Sequence, residues 1–381
     1  MKDKFHIDTQ MMNSESRAAI RERRRRRRRR QQLLQYLACV VMIILLVIIV
    51  VVIVEEIQSH KMPEVVVTEE PDLVISETTA EPEPEAVVQV GVGWNYPDED
   101  GWYTVGDVKI LAGYTAEATE NTAYLDEGMY NSEYIVLIDE TTNTISARRN
   151  ADVVISPASM TKILTILVAA EHISDLDEPV TITREMTDYS YINGCSAVGF
   201  YDGEQVPVRD LFYGTILPSG ADAAYALAVY TAGSQEAFVE LMNEKVAELG
   251  LSDTAHFSNC VGIYDEENHC TVTDMAMILK AAVENDWCRE VLSTRRYTTT
   301  QTEQNEEGIF ITNSFLLNAA NQESGGEILC AKTGYVDESR YCAASYYVSD
   351  SGKPYICVTA TAPKKELTIE DHANLYNTYA E

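Results

Sequence analysis

From Gln31 to Val54 the chain carries no charge, and the 22 residues from Leu33 onward are almost all apolar. As an α-helix those residues reach about 33 Å, enough to cross the hydrocarbon core of a bilayer. Such a run has no stable place on the surface of a water-soluble domain, so it splits the chain into parts that need different solvents. Arg21 and Arg23 to Arg30 stand directly before it, interrupted only by Glu22. Arginines beside an apolar span stay on the cytoplasmic side, so the long C-terminal part is expected outside. The same arginines would attract anionic lipid headgroups. A cleaved signal peptide fits less well, because the run is long and Glu55-Glu56-Ile57-Gln58-Ser59-His60-Lys61 follows where small residues would mark cleavage. The sequence therefore predicts a cytoplasmic basic segment at 1–30, an uncleaved transmembrane helix at 31–54, and a single-pass cell-membrane protein.

Charge divides at the same place. Residues 1–54 hold 12 Lys and Arg against 4 Asp and Glu, whereas the remainder holds 17 against 56. So acidic an outer part repels phosphate, and no nucleic-acid partner is expected. From 55 to about 91, Glu and Pro recur (Pro63, Pro71, Pro82, Pro84) and aromatics are absent. Such a stretch buries too little surface to offset its ordering entropy, and it reads as an extended linker. Trp94, Tyr96, Trp102 and Tyr103, with Gly91, Gly93 and Gly101, suggest a small hairpin within 92–125. The acidic extracytoplasmic linker is thus placed at 55–125 and the catalytic domain at 126–381.

Within that domain, Tyr134–Asp139 reads as a buried strand, with a turn at Glu140–Asn143 and a second strand from Thr144. A helix opens at Ser159 and runs through Ile163, Leu164, Ile166, Leu167 and Ala170. Another begins near Ser219, and a third runs from Gln235 to Leu249, with Ser234 at its cap and Gly250 at its stop. Strands return at 327–334, 341–348 and 355–361, and a helix over 367–379 closes the chain. This order predicts an α+β fold with a mainly antiparallel sheet flanked by helices.

Three short strings carry chemistry: Ser159-Met160-Thr161-Lys162, Ser219-Gly220-Ala221 and Lys332-Thr333-Gly334. A serine hydroxyl needs an adjacent base to act as a nucleophile. Three positions apart on a helix, Ser159 and Lys162 share a face. Burial or a second cation lowers a lysine's pKa, and Lys332 would be that cation if the third string packs alongside. Backbone N–H groups at a helix start can stabilise an oxyanion. Ser219 can bridge the two lysines and pass a proton to a leaving group. Thr333 and Lys332 suit a substrate carboxylate, and Gly334 lets a strand approach a substrate backbone closely. Taken singly, each serine would read as a helix cap, Lys162 as a solvated surface lysine, and Lys332-Thr333-Gly334 as a strand ending in a turn.

With their flanks, the strings resemble a known family. Ser156-Pro157-Ala158-Ser159-Met160-Thr161-Lys162 is similar to the nucleophile segment of the D-alanyl-D-alanine carboxypeptidases, the low-molecular-mass penicillin-binding proteins. Asp210-Leu211-Phe212-Tyr213-Gly214 with Leu217-Pro218-Ser219-Gly220-Ala221-Asp222-Ala223 resembles their middle segment, and Ala331-Lys332-Thr333-Gly334-Tyr335 their third. The likeness runs from about 127 to 365. It implies a penicillin-binding-protein/β-lactamase-like fold, with a five-stranded sheet and an inserted helical subdomain. It also implies an acyl-enzyme on Ser159, an oxyanion hole from the N–H groups of Ser159 and Tyr335, and release of the last D-alanine of a peptidoglycan stem peptide. β-Lactams would be inhibitors, and no cofactor is implied. The family usually has Asn where Ala221 stands, and alanine can neither hold substrate nor orient Lys162. Asp222 is expected on another face of its helix and is no substitute. The alternatives are a β-lactamase on the same scaffold, or a catalytically weak domain that binds or senses cell wall.

Seven of the eight cysteines (195, 260, 270, 288, 330, 342, 357) lie beyond the apolar span, where disulfides are possible. Cys342 and Cys357 fall on adjacent predicted strands, and Cys260 and Cys270 bracket a short loop. His256, Cys260, His269 and Cys270 match no zinc-finger spacing, and no metal site is expected.

Overall fold

The computed structural model describes residues 91–380, apart from 94, 321, 323 and 324. The basic segment, the apolar run and the linker as far as residue 90 lie outside the described residues. Among the described residues no helix is long and apolar enough to cross a membrane.

Strands β1 (Trp102–Val105) and β2 (Val108–Leu111) form an antiparallel hairpin. Then come β3 (Glu117–Tyr124), β4 (Tyr134–Asp139) and β5 (Thr144–Arg149). A 3-10 turn at Ala158–Met160 leads into α1 (Thr161–His172). The short pair β6 (Pro179–Thr181) and β7 (Gln205–Pro207) encloses α2 (Arg184–Ile192). Helices α3 (Val208–Ile216), α4 (Ala221–Ala232), α5 (Gln235–Glu248), α6 (Val272–Glu284) and α7 (Asp286–Ser293) follow. A second short pair, β8 (Arg296–Thr298) and β9 (Phe310–Thr312), precedes α8 (Ser314–Ala319). The chain ends with β10 (Gly326–Val336), β11 (Arg340–Ser349), β12 (Pro354–Ala362) and α9 (Lys365–Tyr379).

The main sheet has six strands in the order β10-β11-β12-β4-β5-β3. Every pairing is antiparallel except β3 with β5, which is parallel. The five-stranded expectation is corrected by β3. That edge strand, Glu-Ala-Thr-Glu-Asn-Thr-Ala-Tyr, buries only Thr122 fully, so it has no alternating apolar face to announce it. Thr122 instead holds it by donating its hydroxyl to Ile145 O at 2.6 Å.

The sheet is covered on both sides. Along β4, Val136 and Ile138 enter the larger core with α1 and α6, while Ile135 and Leu137 enter a smaller core with α8 and α9. A strand buried on both faces reads as a continuous apolar run. Each such side chain contributes about 1.5–3 kcal/mol over leaving it in water. Helix α1 is buried from Thr161 to Ala170, as expected of a helix apolar on all sides at the centre of a domain. Helix α5 is amphipathic: Phe238, Met242 and Val246 are buried, and its first turn is capped by Ser234, whose hydroxyl accepts from Ala237 N at 3.1 Å.

These elements bring the three strings together. The start of α1 carries the first, the turn between α3 and α4 the second, and the free edge of the sheet, β10, the third.

Candidate active site

Ser159 sits in the 3-10 turn and Lys162 in the first turn of α1. Their side chains meet, with Lys162 Nζ 3.0 Å from Ser159 Oγ. Lys162 also donates to Val261 O at 2.6 Å. Burial of this lysine pulls its pKa down to about 8, against the opposing influence of the Cys195 and Cys260 thiols and the Asp222 carboxylate. Burial, rather than the charge on Lys332, is therefore what lowers Lys162. The repulsion between the two ammonium groups acts on Lys332, whose pKa falls well below the ordinary lysine value through burial first and Lys162 second.

Ser219 occupies the turn before α4 with φ of +63°, a left-handed conformation unusual for a residue with a Cβ. Its hydroxyl accepts from Lys332 Nζ at 2.8 Å. Lys332 also donates to Thr333 O at 2.8 Å. Ser219 is thus bonded to the second lysine; among the described residues no hydrogen bond joins it to Lys162, so the expected bridge is formed on one side only.

Gly334 meets the nucleophile segment. A Cβ added to it would stand 3.0 Å from Ser159 N, 3.0 Å from Ala158 Cβ and 2.8 Å from Cys342 Sγ. The backbone of β10 therefore passes directly beside the N–H of Ser159, and only glycine fits. Tyr335 follows, half exposed, with its hydroxyl donating to Asp337 Oδ1 at 2.8 Å.

Ser159, Ser219, Thr333, Gly334 and Tyr335 line one cleft of about 550 Å³, a size suited to a small peptide. All seven residues singled out in the sequence are within or directly behind it. Ala221 is fully buried at the start of α4, and its N–H donates to Ser196 O at 2.7 Å. The Asp222 carboxylate accepts from Val198 N at 2.9 Å and Gly199 N at 3.0 Å. It ties down the segment whose Asn193, Cys195 and Ser196 form one wall of the cleft.

Two parts of the site had no sequence signal. Val261 contributes a backbone carbonyl, which no side-chain pattern marks. Lys365, at the start of α9, lines the cleft and lowers the pKa of Lys332 further; it lies far along the chain from every string.

Among the described residues all seven cysteines are free. Cys342 pairs in register with Gly334 and Cys357 with Ser345, and the two thiols enter opposite cores. His256 and His269 are cross-strand partners, each with Nδ1 on a neighbouring backbone carbonyl, of Glu267 and Glu266 respectively.

Comparison with known proteins follows the same ground. Residues 116–363, well over half of the chain, match Peptidase_S11, D-alanyl-D-alanine carboxypeptidase. The chain belongs to this family. It is 27% identical over 238 residues to the D-alanyl-D-alanine carboxypeptidase DacF of Bacillus subtilis, covering 62% of this chain and 59% of that protein. It is 33% identical over 228 residues to DacA of Escherichia coli, covering 55% and 51%. The chain thus spans less than two thirds of either relative. Among solved structures, a Streptomyces DD-transpeptidase superimposes with a TM-score of 0.60 at 29% identity, over 66% of this chain and 99% of that one. Penicillin binding protein 5 from Haemophilus influenzae gives 0.57 at 25% identity, over 66% and 71%. The α+β architecture of penicillin-binding proteins is therefore this chain's fold.

Proposed function

We propose that this protein is a serine-type D-Ala-D-Ala carboxypeptidase, held at the cell membrane by residues 31–54, that trims peptidoglycan stem peptides outside the cell. The observation that carries the reading is the 3.0 Å approach of the buried Lys162 Nζ to Ser159 Oγ, at a cleft that Ser219 also lines and behind which Lys332 is buried and bonded to Ser219.

Near neutral pH a fraction of Lys162 is uncharged and can take the proton of Ser159 Oγ. Oγ bonds to the carbonyl carbon of the penultimate D-alanine, and the carbonyl electrons move to oxygen, facing the N–H groups of Ser159 and Tyr335. The C–N bond then breaks, and the proton that Lys162 took from Ser159 passes by way of Ser219 to the amine of the departing terminal D-alanine, leaving Lys162 neutral again. Water then bonds to the acyl carbon, giving one proton to the neutral Lys162; the bond to Ser159 Oγ breaks, Lys162 returns that proton to Oγ, and the shortened peptide leaves as a carboxylic acid. Lys332, Lys365 and Thr333 hold the terminal carboxylate, the lysines by charge and Thr333 by its hydroxyl. Ala221 supplies no amide to the peptide, so backbone contacts along β10 carry more of the binding.

The test is labelling with a fluorescent penicillin and release of D-alanine from a diacyl-Lys-D-Ala-D-Ala peptide. Wild type is expected to acquire label and release D-alanine, and Ser159→Ala to do neither. Equal labelling of the two proteins would reject the reading. Anchoring is tested separately: an external protease should cleave the catalytic domain from intact cells and leave the basic segment protected.

A further inference from the structure

The loop between α5 and α6 contains a turn, residues 260–263, that touches both halves of the nucleophilic pair. On one side, Val261 O accepts from Lys162 Nζ at 2.6 Å. On the other, Gly262, with φ of +83°, lies so close to the nucleophile segment that an added Cβ would fall 1.8 Å from Ala158 O and 2.9 Å from Ser159 N. The turn is also pinned to the centre of α1, where Thr165 Oγ1 donates to Cys260 O at 2.6 Å.

One side chain sets the shape of this turn. Asn259 Oδ1 accepts from Val261 N at 3.3 Å, Gly262 N at 2.7 Å and Ile263 N at 3.0 Å. Its Nδ2 donates to Ile263 O at 3.0 Å. Asn259 is almost wholly buried, so without it these N–H groups would be left without partners away from water. Aspartate offers the acceptor but not the donor, and an aliphatic residue of the same size offers neither.

Resting on the carboxypeptidase reading above, we infer that Asn259 is a positioning residue for acyl transfer: it folds the 260–263 turn so that one peptide holds the amine of Lys162 and the next seats the backbone of Ser159. The base and the oxyanion-binding N–H are then placed by a single amide. A purely structural asparagine would stabilise the loop and leave the chemistry of Lys162 alone. A positioning one also sets how readily Lys162 loses its proton, because a carbonyl accepting from the ammonium favours the charged form. The other groups facing Lys162 are the Cys195 and Cys260 thiols, the Asp222 carboxylate and the Lys332 ammonium.

The experiment measures the second-order rate of acylation by a fluorescent penicillin as a function of pH, on the full-length chain, with thermal unfolding alongside. Asn259→Ala is expected to acylate roughly 10–100-fold more slowly, the usual effect of moving reacting groups by about 1 Å. The acid limb of its profile moves to lower pH, because Lys162 loses its carbonyl acceptor. Asn259→Asp keeps the size and the acceptor oxygen, loses less rate, and shifts the limb to higher pH through its added negative charge; it carries the test alone if Asn259→Ala does not fold. Wild-type rate and limb in either folded variant would overturn the inference, as would slower acylation in both with an unmoved limb. A wild type that does not acylate would instead overturn the reading on which the inference rests.

Discussion

Ser219 accepts a hydrogen bond from Lys332 at 2.8 Å while its own backbone stands at φ of +63°. A left-handed residue with a Cβ costs about 1–2 kcal/mol, a strain tolerated where a side chain has work to do. The two effects separate in Ser219→Gly. Glycine accepts this conformation freely, so the variant is expected to unfold at a temperature equal to or above wild type. It also removes the hydroxyl proposed to deliver a proton, and D-alanine release should fall roughly 10²–10⁴-fold, the usual contribution of such a group. A calorimetric scan beside a D-alanine assay checks both halves. A loss of stability with retained turnover would contradict the assignment.

Lys162 is lowered to about 8 by burial, so its neutral fraction, and with it the rate of acylation, should climb with pH and level off above about 8. Lys162→Arg keeps the charge but cannot give up its proton near neutral pH. Its expected loss in acylation is roughly 10²–10⁴-fold at every pH from 6 to 9, with no acid limb left. A pH series of labelling rates for both proteins decides it. A limb that survives in the arginine variant would assign the titration to another group.

At Gly334 the strand passes too near Ser159 for any side chain. Gly334→Ala forces a methyl group to within 3.0 Å of Ser159 N and Ala158 Cβ, tighter than ordinary van der Waals contact. The strand must then retreat from the nucleophile. The expected outcome is acylation slowed roughly 100-fold, with a modest loss of stability of about 1–3 kcal/mol. Stopped-flow labelling and urea unfolding measure the two quantities independently.

The three strings were legible because each joins a reactive side chain to a backbone requirement. A serine and a lysine share a helix face, and a glycine follows a strand lysine, before any coordinates are known. The central strands were legible from composition and length, since Tyr134-Ile135-Val136-Leu137-Ile138 is short, rich in β-branched residues and followed by a turn, which favours a buried strand. What escaped was held by backbone or by sequence-distant polar groups. Strand β3 is polar and rests on the sheet through a hydroxyl. The Val261 carbonyl has no signature at all. The sequence left open whether burial or a second cation lowers Lys162, because charge is visible in a sequence whereas depth within α1 is not; in the structure burial leads. Ala221 remains a real departure: its side chain is buried and carries no amide.

Stability away from the cleft rests partly on a buried ion pair. Lys280 Nζ lies 2.7 Å from Glu140 Oε2, with both side chains fully buried, and it also donates to Leu111 O at 2.5 Å. The contact joins helix α6 to the end of β4 and to the β1–β2 hairpin. Removing one partner leaves a charge without compensation, at a cost of about 3–5 kcal/mol. In Lys280→Met the orphaned group is Glu140, whose pKa burial already raises. The carboxyl can escape the penalty by taking a proton, and the folded state then binds more protons than the unfolded chain. The variant's deficit relative to wild type is therefore smallest near pH 4.5 and grows as pH rises through the folded pKa of Glu140. Glu284, which lies 3.7 Å from Lys280 and is raised to about 7 mainly by burial, adds to the same slope. Urea unfolding of both proteins at pH 5 and pH 8 should show the larger gap at pH 8. An equal gap at both would mean that neither carboxyl takes up a proton when the lysine is gone.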